Sequence, residues 1–311
     1  MRVAVVDIGT NSTRLLVADV SPARVVTQLH RESIVTRLGE GVDASGRLGD
    51  APMQRVFATL GRFRRTIDEY GATATTAVLT SAVRDAANGA EFTKAVREGF
   101  GLDARTIDGG EEAALTFSGA TSERAGDHRE VVVVDIGGGS TEFVIGRDGT
   151  VDFHVSTQAG VVRQTERHLH DDPPPADGLQ ELAEEVRQII DDAVPQQVRE
   201  RVETGIAVAG TATSCAAIEL ELDPYDPERV HGHVLQLATC EMLLARLAAM
   251  TNDERRAVVG LHPDRAPTIV AGIAMLVEIL RAFGLEEIEV SEHDILRGAA
   301  LRLAASSGAP G

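Results

Sequence analysis

From Asp7 the chain reads Asp-Ile-Gly-Thr-Asn-Ser-Thr-Arg, and from Asp135 it reads Asp-Ile-Gly-Gly-Gly-Ser-Thr-Glu. Each phrase puts a carboxylate at the end of an apolar run, then a glycine turn with a polar tip. Glycines in such a turn expose backbone N–H groups and permit positive φ, and a row of N–H groups can cradle phosphate oxygens. The leading carboxylate can hold a divalent cation, directly or through water. One such phrase alone reads first as a tight structural turn. Two copies, 128 residues apart, shift the reading to an anion or nucleotide site.

Other residues could join that chemistry. Ser81 and Arg84 follow an apolar run, where a strand end would offer them to a phosphate; the alternative for Arg84 is an ordinary surface arginine. Glu111 and Glu112 stand at the start of an expected helix. Acids there serve as caps and complement the helix dipole, or one of them orients or deprotonates an attacking water. Gly210 and Thr211 end a strand-like run and could pack on a base or sugar, close a phosphate pocket, or simply join strand to helix. His231 and His233 are two apart with no carboxylate at ligand spacing, so no structural zinc site is expected of that pair.

The elements that must position these residues follow from hydrophobic pattern. Residues 3–6 and 131–134 are continuous apolar runs fit for central strands, and 13–18 and 141–145 are their return strands. The repeat implies a duplicated domain, and two such hairpins facing across a cleft would enclose a phosphate chain. The polar link 122–130 sets the expected boundary, giving domains 1–124 and 125–311, with a last helix near 294–306 that could pack back on the first. Further strands are expected over 24–38 and 104–108, and helices over 50–69, 90–99 and 179–202, with Pro195 interrupting the last. Pro173, Pro174 and Pro175 forbid helix or central strand. A long core helix follows Pro267. Glu292 and Arg297 read as capping or supporting residues.

Bulk properties narrow the partners. The chain has 311 residues, 43% of them hydrophobic, enough for two ordinary cores. A formal charge of -18 disfavours non-specific binding to nucleic acid or anionic membrane. It leaves room for a compact anionic substrate, because a nest of N–H groups, arginines and a bound cation can reverse the sign locally. Two cysteines make no disulfide framework or metal knuckle. The start is too short in its apolar run for a signal peptide, and no run is long enough to span a membrane. A reducing, cytoplasmic location is the expectation. No GxxxxGK[ST] phrase occurs, which excludes a P-loop enzyme.

In order along the chain, DIGTNSTRLL (7–16), TSAVRDAANG (80–89), DGGEEAALTFSGA (108–120), VDIGGGSTEF (134–143), VAGTATSCAAIEL (208–220), YDPERVHGH (225–233) and VSEHDILRGA (290–299) resemble the exopolyphosphatase and guanosine-pentaphosphate phosphohydrolase (Ppx/GppA) family. GLHPDRAPTI is a looser match to that family's arginine-containing segment. The resemblance implies an α/β, duplicated actin-like (ribonuclease H-like) fold of two domains with an interdomain cleft. It implies hydrolysis of the terminal phosphoanhydride of polyphosphate, or of the 5′ γ-phosphate of pppGpp, assisted by Mg²⁺ or Mn²⁺, in a homodimer. It assigns Thr10, Asn11, Ser12 and Arg14 to the first phosphate loop, and Gly137, Gly138, Gly139, Ser140 and Thr141 to the second. Arg84, Gly210 and Thr211 join the phosphate contacts, Glu112 is the base, and Asp7, Asp135 and Glu142 are candidate metal ligands. The chain resembles the short form without C-terminal helical domains. Rival readings are an ATP-dependent kinase or ATPase of the same fold and a non-catalytic polyphosphate or pppGpp sensor.

Overall fold

The computed structural model describes residues 1–124 and 126–307. The chain divides into two compact units, Met1–Ser122 with the segment from Asp294 onward, and Glu123–His293. The boundary expected at 124/125 falls on Ala125, which lies outside the described residues.

The first unit is built on a five-stranded sheet of β1 (Arg2–Ile8), β2 (Ser12–Val20), β3 (Val26–Val35), β4 (Ala74–Leu79) and β5 (Asp103–Thr106), ordered β3-β2-β1-β4-β5. β1 is central because Val3 to Val6 and Ile8 are apolar on both faces and fully buried. Helix Asp50–Tyr70 buries Val56, Leu60, Phe63 and Ile67, spaced along one face. It ends at Gly71, whose φ of 65 suits glycine, with Gly71 N and Ala72 N returning to Asp68 O and Ile67 O. Helix Ile295–Ser307 packs against helix Gly109–Ala120 at close range. A Cβ on Gly119 would lie 2.0 Å from the Asp294 carbonyl oxygen, and one on Gly298 would lie 1.9 Å from that of Leu115.

The second unit holds β6 (Val131–Ile136), β7 (Thr141–Arg147), β8 (Thr150–Thr157), β9 (Thr204–Val208), β10 (Val234–Gln236) and β11 (Glu287–Val290), ordered β10-β11-β9-β6-β7-β8. Read from β8, this is the order of the first sheet with one antiparallel edge strand added. Both sheets carry a register shift at matching places, Val17/Ala18 and Ile145/Gly146. The repeat therefore extends from the phrases to whole sheets, which is the two-lobed α/β actin-like fold. Helix Ile269–Phe283 is buried along nearly its whole length and forms the centre of this unit's core. The expected helix over 179–202 is Ala176–Ala193 followed by a short turn at Gln196–Arg199, because Pro195 cannot continue the helix. Among the described residues no helix is long and apolar enough to cross a membrane.

Candidate functional site

Strand direction gathers the candidate residues within each unit. In the first unit β1, β4 and β5 are parallel, with Ile8 beside Leu79 and Leu79 beside Thr106. Their C-terminal ends therefore release the segments 9–12, 80–84 and 107–112 along one edge of the sheet. In the second, Asp135 on β6 lies beside Val208 on parallel β9, so the loop 137–140 and Gly210 also leave one edge.

The two hairpin loops share one construction. Gly9 N donates to Ser12 O at 3.0 Å, and Gly137 N to Ser140 O at 2.9 Å. In the first loop Thr10 O accepts from Gly39 N at 2.9 Å, and Asn11 O from Thr36 N at 2.9 Å and Arg37 N at 2.8 Å. In the second, Gly137 O and Gly138 O accept from Val161 N and Val162 N, both at 2.9 Å. A trans peptide sets its N–H opposite its carbonyl. The amides of Asn11 and Ser12, and those of Gly138 and Gly139, therefore point away from these donors. That is the arrangement that receives an anion. None of Gly9, Gly137, Gly138 or Gly139 has a left-handed φ. Their value here is small size, since a Cβ on Gly137 would stand 3.0 Å from Ser140 O. Gly160 is needed for the same reason: a Cβ there would lie 2.4 Å from Gly138 O.

The loops differ in charge. Asp7 faces Arg14 directly across the first hairpin, and Arg14 Nε donates to Asp7 Oδ2 at 2.8 Å. Arg14 Nη1 also reaches Asp294 Oδ2 at 2.5 Å, where Arg31 Nη2 joins at 3.0 Å. Arg14 is thus shared between two carboxylates. Burial pushes the Asp7 carboxyl above its ordinary value, and the Arg14 guanidinium opposes that rise. In the second hairpin Asp135 faces Glu142, both buried, with Ser156 Oγ donating to Glu142 Oε1 at 2.7 Å. Residues directly opposite share a face at about 5 Å, and like charges there repel. Two oxygen donors so placed fit a hard divalent cation.

Thr10 Oγ1 and Ser81 Oγ share a hydrogen bond of 2.9 Å, tying the first loop to the short helix Ser81–Asp85. From that helix Arg84 Nη1 donates to Glu112 Oε2 at 2.9 Å and to Ile107 O at 3.1 Å. Asp108 caps the Glu112 helix by accepting from Glu111 N. Glu111 itself pairs with Arg105 and with Arg302 Nη1, so it braces the unit. The two adjacent glutamates are therefore separated by their partners, Glu112 being the one beside Arg84. Thr141 is buried, and its hydroxyl donates to Ala159 O at 2.6 Å. Gly210 and Thr211 open helix Ala209–Glu219, after a left-handed Ala209 with φ 64. A Cβ on Gly210 would lie 1.5 Å from Arg265 Nη1, so a guanidinium rests on that glycine. Arg265 belongs to the GLHPDRAPTI segment, the signal that could have singled it out.

Sequence reading also missed a second grouping. Glu123, His231 and His293 place one ligand atom each within 4.8 Å of one another, a set that could hold a divalent cation. His233 instead meets Glu219, with Nε2 and Oε2 2.8 Å apart. Spacing could not reveal this cluster, because its members lie in three distant segments.

Residues 15–305 match the model of the Ppx/GppA phosphatase family. The chain is 37% identical to Exopolyphosphatase 2 of Mycobacterium tuberculosis, over 97% of this chain and 98% of that one. A solved exopolyphosphatase-like protein superposes with a TM-score of 0.91 at 33% identity, covering 99% of this chain and 100% of the other. The Aquifex aeolicus Ppx/GppA protein superposes with a TM-score of 0.83 at 29% identity, over 100% and 99%. With the duplicated sheets and paired hairpins, these likenesses place the chain in the Ppx/GppA phosphatase family.

Proposed function

We propose that this chain is an exopolyphosphatase, releasing phosphate from the end of inorganic polyphosphate by attack of water on the terminal phosphoanhydride. Membership of a phosphatase family makes hydrolysis the reaction class, and the 37% identity to Exopolyphosphatase 2 favours polyphosphate as substrate. The observation that carries the reading is the second hairpin, where outward amides of Gly138 and Gly139 stand beside the Asp135–Glu142 pair. Amides receive phosphoryl oxygens, and the carboxylates suit the cation that accompanies a polyanion.

In this reading Asp135 and Glu142 would hold Mg²⁺, or Mn²⁺, on the second unit, and Asp7 is the corresponding candidate carboxylate of the first. Such an ion neutralises charge on phosphoryl oxygens when bound. Thr10, Asn11 and Ser12 on the first unit, and Gly137, Gly138, Gly139, Ser140 and Thr141 on the second, each form and support a loop suited to phosphoryl oxygens. Glu112 takes the proton of the attacking water. Its pairing with Arg84 holds the carboxylate in one orientation and brings a cation to where a phosphoryl group would meet it. Phosphoryl transfer rests mainly on positioning and charge stabilisation, and these groups supply both. Gly210, Thr211 and Arg265 close the set on the second unit. The homodimer and cytoplasmic location belong to this reading on resemblance alone, and sedimentation tests the first.

The deciding experiment compares phosphate release from polyphosphates of defined length, pppGpp and ATP in Mg²⁺. Release from polyphosphate without an acceptor supports the hydrolase; a requirement for an acceptor makes it a kinase, and binding without turnover makes it a sensor. Glu112→Gln should lower kcat by about 10²–10⁴ while substrate binding persists. Glu111→Gln should leave kcat within about tenfold. The reverse ranking removes Glu112 as base.

A further inference from the structure

His231 and His293 are held by backbone rather than by chance side-chain packing. Gly232 N donates to Val290 O at 2.8 Å and Val290 N to His233 O at 2.7 Å, locking the two histidine loops together. Gly232 takes a φ of 78, so the chain turns sharply after His231. Ser291 N donates to Ala207 O, and His293 N to Ser291 Oγ, each at 2.9 Å. The rings lie with centroids 4.0 Å apart. Glu123 is placed by its neighbour: Arg124 Nη1 reaches Glu289 Oε2 on β11 at 2.6 Å.

The donor atoms converge on one point. Glu123 Oε2 lies 3.7 Å from His231 Nε2 and 3.8 Å from His293 Nδ1. Ligands about 2.0–2.1 Å from a tetrahedral ion stand about 3.4 Å apart, so shifts of a few tenths of an ångström would complete the shell. Two imidazoles and one carboxylate select a borderline transition ion over Mg²⁺ or Ca²⁺, which take oxygen. The oxygen pair Asp135–Glu142 is on β6 and β7, while His293 follows β11. β9 stands between β6 and β11, so at the usual strand spacing the two groups leave the sheet about 10 Å apart. The site has one cost: His231 Nδ1 accepts from Glu292 N at 3.3 Å, and a metal on Nε2 would place a proton on Nδ1 and end that long contact.

We propose that Glu123, His231 and His293 bind a zinc-class divalent transition ion, separate from the oxygen-donor pair, which clips unit 2 at its two ends. Glu123 and His293 are the first and last residues of that unit. An ion held by both joins the two segments through which the chain enters and leaves, and ties them to the His231 turn. Its action is structural, and its loss loosens those segments.

The test uses the full chain, stripped with EDTA and dialysed against Zn²⁺ in excess Mg²⁺, with bound metal counted by mass spectrometry. One zinc per chain is expected, accompanied by a rise in melting temperature. His293→Asn and Glu123→Gln should each weaken zinc binding at least tenfold, judged by competition with a chelator. Glu142→Gln should leave the zinc count unchanged, and Co²⁺ should give the visible absorption of a low-coordinate site in the parent protein and in Glu142→Gln but in neither ligand variant. Zinc retained equally by both ligand variants, zinc lost in Glu142→Gln, or no zinc bound at all would each overturn the assignment. Circular dichroism of the variants separates lost ligands from lost folding.

Discussion

Replacing Glu142 by Gln should reverse the order of stability between metal-free and metal-saturated protein. Glu142 and Asp135 face each other across the hairpin, and both are buried. Directly opposed side chains start about 5 Å apart. Two like charges at that distance repel by about 3 kcal/mol at an effective dielectric of about 20. Neighbouring hydrogen bonds, such as the one Ser156 donates, reduce the net penalty to about 1–2 kcal/mol. Gln keeps an acceptor for Ser156 and removes one charge. In EDTA the variant should therefore melt higher than the parent, by about 2 °C for each kcal/mol. In Mg²⁺ at about a hundred times its dissociation constant, the parent gains about 2.7 kcal/mol from ligand linkage, and the variant forfeits most of it. The melting curves, recorded in EDTA and across a Mg²⁺ titration, should cross. Turnover should fall with the lost Mg²⁺ response. A variant that melts below the parent by the same amount in both conditions would show Glu142 to be a packing residue and refute the argument for a cation there.

Gly160→Ala would push a methyl against the Gly138 carbonyl, at 2.4 Å before relaxation. Overpacking of this kind costs about 1–3 kcal/mol, and here it should also raise KM, because the shifted atoms belong to the phosphate loop; denaturant titration and steady-state kinetics check both. Asp7 offers a test of pH dependence. Burial raises its carboxyl, with Arg14 opposing, so its contribution to stability is greatest below the unfolded-state value and is lost as pH climbs through the folded-state value. The stability difference between parent and Asp7→Asn should accordingly move towards the variant as pH rises from about 3 to 7, measured by denaturant unfolding at each pH. A difference that moves the other way would mean Arg14 dominates. Burial pushes the Cys240 thiol up to about 12 and Cys215 well above the usual thiol range. Both should label with iodoacetamide at about pH 8 at least a hundredfold more slowly in the native chain than in urea.

What was readable in the one-dimensional chain is what local contacts determine. The hairpins close between residues only a few positions apart, so Asp7 opposite Arg14 and Asp135 opposite Glu142 follow from strand, turn and return strand. The apolar period over Val56, Leu60, Phe63 and Ile67 calls for a helix whatever its surroundings. The matching phrases at Asp7 and Asp135 foretold duplicated sheets, because equal patterns of burial and turn produce equal strand orders. Tertiary structure alone settled which partner each charged group has. Glu111 and Glu112 are neighbours in sequence, yet helix geometry turns one to Arg105 and Arg302 and the other to Arg84. Arg14 meets Asp294 across 280 positions, and Glu123, His231 and His293 converge from three segments. Such pairings depend on parallel strand order and helix packing, which depend on the whole core, and no short window of residues contains that information.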